Sequence, residues 1–100
     1  MKRVTVLYPN KNDAKFDFNY YTRKHVPWVS GLLGLKIDVH KGISSPTGSA
    51  PAFLCVAAIH INSIEEFQAM FAKHGAKIMA NIPNYTNVEP VIQFDEALME

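Results

Sequence analysis

One hundred residues, 48% of them hydrophobic and 19% charged, suffice for one domain with its own core and exclude a disordered chain. A net charge of +1 gives no general attraction to nucleic acid or to an anionic membrane, and no run approaches the ~20 apolar residues of a spanning helix. The lone Cys55 cannot close an internal disulfide and fits a reducing compartment.

The chain opens on Met1-Lys2-Arg3 before a short apolar run, which imitates a secretion signal. The run alternates like a strand and ends at Pro9-Asn10 without a small-residue cleavage site, so a cytoplasmic protein is expected. Arg3 to Tyr8 reads as a first strand, with Val4, Val6 and Tyr8 on one face. After the polar loop Asn10-Lys11-Asn12-Asp13, Asp17 is placed to cap a helix from about Phe18, and Phe16 can staple onto Tyr21. Pro27 removes a backbone donor, which predicts a kink or break near Val26 before Gly31 and Gly34 close the helix. Counting at helical spacing, Tyr21, His25, Trp28 and Leu32 share one face, so an imidazole sits on an apolar stripe between two aromatics.

Leu35 to Lys41 alternates like a half-exposed edge strand. The Gly/Ser/Pro-rich loop 42–51 is either a lid or a spacer, across which an antiparallel hairpin is expected. Phe53 to Ile61 is almost wholly apolar, hence central in its sheet and buried on both faces. Ser63 and Glu66 form a capping box for a second helix carrying Ile64, Phe67, Met70, Phe71 and His74, with Gly75 placed to end it and a short extra turn over 76–81. The last strand, Val88 to Asp95, contains Pro90 and is confined to an edge or a bulge.

The order β-α-β-β-α-β predicts a single ferredoxin-like α+β domain over residues 1–100: a four-stranded antiparallel sheet, strands one and three central, with both helices on one face. The third strand then has Phe53, Cys55, Ala57, Ile59 and Ile61 on one side and Leu54, Val56, Ala58 and His60 on the other. Two helices cannot cover both, so the bare face predicts a homodimer joined sheet to sheet. Residues 1–50 carry eight Lys/Arg against three Asp/Glu, and residues 51–100 two against six; the charges are scattered and read as a mixed solvated surface.

No two His lie at i, i+4 on a helix, no Cys pair exists and no Gly-rich dinucleotide or phosphate loop is present, so neither a metal nor a cofactor is expected. Cys55, in mid-strand, is a poor nucleophile.

The pattern Phe16-Asp17, Tyr20-Tyr21, His25, Pro27 resembles the signature of the EthD family, named for a protein associated with ethyl tert-butyl ether degradation, some members of which are labelled reductases. The resemblance extends over Val6-Leu7-Tyr8-Pro9, Phe67 with Phe71 leading to His74-Gly75, Ile82-Pro83-Asn84-Tyr85-Thr86 and Glu89-Pro90-Val91-Ile92-Gln93. It implies a dimeric α+β barrel; Trp28 departs from it, where a smaller aliphatic residue is expected. It makes His25 the candidate proton shuttle with Tyr20 or Tyr21 orienting it or the substrate. Tyr8, Trp28, His60, Phe67, Phe71 and Tyr85 become candidate substrate-binding residues, with core packing the favoured alternative for Trp28, Phe67 and Phe71, a hydrogen-bonded place at the dimer interface the favoured alternative for His60, and the pocket mouth the place expected for Tyr85. Asn81 is a further candidate for the pocket mouth, whereas His40 and His74 read as surface residues. The function so implied is a small oxidoreductase, isomerase or dehydratase acting on an apolar or aromatic molecule. The alternative is a binding or accessory protein of a catabolic pathway. Which face of the sheet holds the cavity is open at this point.

Overall fold

The computed structural model describes residues 1–100. It has four strands, β1 (Lys2–Pro9), β2 (Ile37–Lys41), β3 (Phe53–Ile61) and β4 (Val91–Glu96), in one antiparallel sheet of order β2-β3-β1-β4. The two apolar β-branched runs are therefore central and the two mixed ones are edges, as their patterning demands. Register puts Val4 opposite Ile59 and Phe94, and Val6 opposite Ala57 and Ile92. Those side chains share the face on which both helices lie, where Val4, Ile59 and Ile61 pack against Val29 and Leu33 of the first helix and Phe67 and Ile78 of the second.

The first helix is continuous but not uniform. It starts α-helical at Phe18–Tyr20, turns π-helical over Tyr21–His25 and returns to α-helix over Val26–Leu33. Asp17 caps it, its carboxylate accepting from the Tyr20 N–H at 3.0 Å, and Phe16 staples onto Tyr21 with ring centroids 5.0 Å apart. The expected break at Pro27 takes the form of this π segment. Pro27 has no N–H for the Arg23 carbonyl, and the Val26 N–H reaches back five residues to the Tyr21 carbonyl.

Three boundaries differ from expectation for identifiable reasons. β2 begins at Ile37 because both backbone groups of Leu35 are engaged by Ser30, the hydroxyl donating to the Leu35 carbonyl at 2.6 Å. β4 begins at Val91 because the Thr86 hydroxyl accepts from Val88 in a turn and Pro90 offers no donor to a ladder. The second helix runs Ile64–Ala80 and passes through Gly75, whose missing Cβ would lie 2.8 Å from the Phe71 ring. Gly75 thus makes room for Phe71 instead of ending the helix. The loop after β2 is pinned to the end of β1, with Asn10 donating to Ala52 and Pro51 carbonyls, and none of it lines the cavity described below. It is a spacer. No helix is long and apolar enough to cross a membrane.

The two glycines of the first helix offer a matched stability test. Gly34 ends the helix at φ 65, a left-handed conformation that a Cβ disfavours, whereas Gly31 lies inside the helix with nothing within 4 Å of a built Cβ. Gly34→Ala is expected to lower unfolding free energy by about 1 kcal/mol and Gly31→Ala to raise it by about 0.5–1 kcal/mol, read by urea denaturation.

Candidate functional site

The buried side chains form two clusters rather than one. The first is aliphatic and Phe-based, around Val4, Leu33, Ile59 and Phe67; the second gathers Tyr8, Tyr21, Cys55, Ala57, Tyr85 and Val88. Between them, under both helices, lies a cavity of about 500 Å³ drawing on residues of both. Nineteen of its twenty-two lining residues are hydrophobic and none is charged. It therefore favours uncharged ligands.

His25 projects into this cavity from the last residue of the π segment, stacked on Tyr21 with ring centroids 5.5 Å apart. Tyr85 reaches the same place from the far end of the chain. The Asp17 N–H donates to the Tyr85 carbonyl at 2.7 Å, and the Thr86 hydroxyl donates to the Lys15 carbonyl, tying the segment around Tyr85 to the start of the first helix. Lys15 donates to the Asn87 side chain in turn.

The polar atoms form one chain of hydrogen bonds. Asn81, capping the second helix, donates through Nδ2 to the Tyr20 hydroxyl at 3.3 Å and turns Oδ1 toward His25 Nδ1 at 2.8 Å. With Oδ1 as the acceptor, the proton is assigned to His25 Nδ1 and the lone pair to Nε2. Tyr85 donates its hydroxyl to Nε2 over a long 3.4 Å, and the Tyr8 hydroxyl can donate to Tyr85 at 2.7 Å. Burial lowers the His25 pKa from 6.5, so the imidazole is neutral near pH 7 and Nε2 is a free base only loosely engaged. Burial also raises the Tyr8, Tyr21 and Tyr85 phenols well above their ordinary value, which keeps them protonated and able to donate. The site is a neutral base among un-ionised phenols in an apolar chamber.

The expected residues divide accordingly. Tyr8, Tyr21, His25, Phe67, Phe71 and Tyr85 all line the cavity, and the face of the sheet that holds it is the helix-covered one. Tyr20 does not reach it and lies behind Asn81, also accepting from Asn84 at 3.4 Å. Asn81 holds His25 rather than closing a mouth. Trp28 is not part of the lining; it is 36% exposed and meets His25 only edge-on, at 6.0 Å. The π turn takes about one residue more than an α turn, so Val29 and Leu33 occupy the buried face that a uniform helix would give to Trp28 and Leu32. His60 is not in the cavity either, and of its two expected places it takes the one away from the pocket. Strand parity sends it to the open face of the sheet, where Nε2 meets the Asp38 carboxylate at 2.7 Å and holds that carboxyl below its usual range. Sequence reasoning missed Met79, Ile92 and Phe94 as cavity residues; the alternation of Ile92 and Phe94 across Gln93 was the available signal.

Fold and site together define a ferredoxin-like α+β domain with an interior chamber between helices and sheet. The EthD domain model matches residues 11–89, and the chain belongs to the EthD family. An uncharacterized 11.0 kDa protein in the thcB-thcC intergenic region of Rhodococcus erythropolis is 30% identical over 89 residues, covering 87% of this chain and 85% of that one. The crystal structure of an EthD-like protein from Ralstonia eutropha JMP134 superposes with a TM-score of 0.92 at 39% identity, over 99% of this chain and 93% of that one. An EthD family protein from Bacillus halodurans C-125 shares the fold at a TM-score of 0.69 and 18% identity, over 98% and 99% of the two chains.

The depressed His25 pKa makes a signed prediction. The unfolded chain takes up the His25 proton near pH 6.5, before the folded chain does, so stability present above that pH falls as pH drops toward the lower folded value. His74 is depressed as well, by partial desolvation and by Lys77 and Lys73, and contributes in the same sense. Chemical denaturation of the wild type and of His25→Gln from about one unit above to about two units below the ordinary imidazole value should therefore show the variant losing less stability over the acid part of the range.

Proposed function

We propose that the chain is a small enzyme that moves a proton on an apolar or aromatic molecule held in the chamber, with His25 as the base. The observation that carries this reading is the contact of Asn81 Oδ1 with His25 Nδ1 at 2.8 Å, which assigns the proton to Nδ1 and turns the Nε2 lone pair to a cavity without a charged wall. In the first step Nε2 takes a proton from a carbon next to a carbonyl or from a hydroxyl of the substrate. The imidazolium that results is stabilised through its Nδ1–H by the Asn81 carbonyl oxygen. The negative charge left on the substrate oxygen is met by the Tyr85 and Tyr8 hydroxyls, which stay protonated and can donate. Return of the proton to another atom gives isomerisation, and loss of a neighbouring hydroxyl gives dehydration. A cofactor-free oxygenase or other oxidoreductase would start from the same carbanion. Tyr21 stacks on the base and fixes its ring, and Tyr20 orients Asn81. The unpaired Cys55, whose thiol burial pushes up to about 12, is inert and suits a reducing compartment such as the cytoplasm.

A non-catalytic binding or accessory role in a catabolic pathway is the second reading, and the nearly all-hydrophobic lining favours it. The two part company at His25. On the enzyme reading, His25→Ala lowers turnover by about 100-fold or more with ligand affinity little changed. On the binding reading, saturable uptake of aromatic ligands occurs without any turnover for the substitution to reduce.

The open face of the sheet supports a homodimer. Leu7, Val56, Ala58 and Val91 form its apolar centre, with Arg3, Asp38, His60 and Asp95 around them. A symmetric sheet-to-sheet contact would bury that centre on both copies. Light scattering should then give about twice the 11.2 kDa chain mass at micromolar concentration, and Val56→Glu should return the monomer. A wild type that stays monomeric under these conditions rejects the assembly and leaves the cavity chemistry untouched.

A further inference from the structure

The chamber is elongated and has two unlike ends, and these restrict what can occupy it. At the Tyr8 row the walls carry every hydroxyl and the imidazole. At the Val4 row, four residues along the same strand, they are hydrocarbon from Val4, Leu33, Phe67 and Phe94. Four residues of strand span about 13 Å. The second helix lines the chamber from Phe67 to Met79, twelve residues or about 18 Å of helix. Spreading about 500 Å³ over that length leaves a mean section of roughly 30–40 Å², the proportions of an elongated chamber that suits a ring or chain lying lengthwise. The exposed members of the lining are Gln68, Ala72 and Met79 of the second helix and Ile92 and Phe94 of β4. The mouth therefore runs along the gap between that helix and the edge strand, and a ligand enters sideways.

We infer that the ligand is an uncharged, elongated molecule with a single polar head. One hydroxyl or carbonyl lies among Tyr8, Tyr85 and His25, and the hydrocarbon remainder points toward Phe67 and Phe94. This rests on the proton-transfer reading for the identity of the reacting end, but the orientation and the exclusion of anions follow from the walls alone. A carboxylate or phosphate head would enter a chamber with no Lys or Arg in its lining and would give up hydration without a partner. A second polar group at the far end would meet only hydrocarbon there. The exposed Gln68 amide at the mouth is the one side-chain donor beyond the phenol end.

The test is calorimetric and needs no turnover, so it can fail while the proton-transfer reading stands, and the reverse. The full chain is titrated with 4-ethylphenol, 4-butylphenol and 4-hexylphenol, with 4-hexylbenzoate as the anionic counterpart and hexylbenzene as the headless one. Affinity for the phenols is expected to rise about fourfold per added methylene, at one site per chain, with 4-hexylbenzoate at least tenfold weaker than 4-hexylphenol. Tyr8→Phe should weaken the phenols and leave hexylbenzene unchanged. Phe94→Asp, at a partly exposed position, should weaken 4-hexylphenol more than 4-ethylphenol. Affinity independent of tail length, or equal binding of 4-hexylbenzoate, would overturn the proposal. An equal effect of Phe94→Asp on short and long phenols would overturn the orientation. Repeating the titration with His25→Ala separates the two ideas, since retained head-and-tail selectivity in an inactive protein upholds the ligand class by itself.

Discussion

One missing hydrogen-bond donor, the N–H that Pro27 lacks, shapes the whole site. An α-helix through residues 18–33 would ask that donor to serve the Arg23 carbonyl. The chain instead widens to π-helix over Tyr21–His25 and resumes α-helix at Val26. The inserted residue rotates everything downstream, so that Tyr21, His25, Val29 and Leu33 form the buried column. Tyr21 lies nearly parallel to His25, at 17°. The Pro costs a hydrogen bond and gains a column with two functional groups on it. π-helical turns recur at functional sites for this kind of reason: they aim side chains that a regular helix would spread around its axis.

The chamber persists because its two walls are fixed independently of what fills it. A void between core clusters normally costs stability and tends to collapse. Here the sheet ladder fixes one wall. The other is held by polar ties: Asp17 to the Tyr85 carbonyl, Thr86 to Lys15, and Asn81 to both His25 and Tyr20. The same ties satisfy polar atoms that burial would otherwise strand. Every member of the phenol-imidazole chain can be neutral at once, so no buried ion has to be compensated. That neutrality also leaves Nε2 unprotonated, because any nearby carboxylate would have favoured the imidazolium.

Strand order, both helix caps, the staple of Phe16 on Tyr21 and the position of His25 were legible in the sequence, since each rests on local chemistry or on a period of two. Two kinds of information were not. The turn-by-turn phase of the first helix is lost once one turn is π, which is why Trp28 was expected on the wrong side and Val29 was not expected on the buried column. Long-range polar partnership is also invisible to periodicity. Asn81 stands fifty-six residues from His25 and Tyr85 sixty, and nothing in either local pattern says that they meet. His60 shows the opposite lesson. Strand alternation already separated it from Ala57 and Ile59, and only the side on which the helices pack was needed to place it away from the chamber.

β3 explains how so small a domain can serve two apolar environments. Cys55, Ala57, Ile59 and Ile61 feed the helix-covered side, while Val56 and Ala58 feed the open one. Assembly and chemistry are thereby divided between the two faces of one strand, with only backbone between them. A substitution on the even-numbered positions changes what the sheet presents to a second copy without touching the chamber wall. On the odd-numbered positions it alters the chamber and leaves the outer face as it was. The small residues are distributed to suit: Ala57, opposite Val6, leaves space under the helices. A larger side chain there would close the seam between the two clusters and turn a chamber into an ordinary core. The cavity is thus set by the absence of a side chain in the middle of the sheet as much as by the phenols and imidazole at its end.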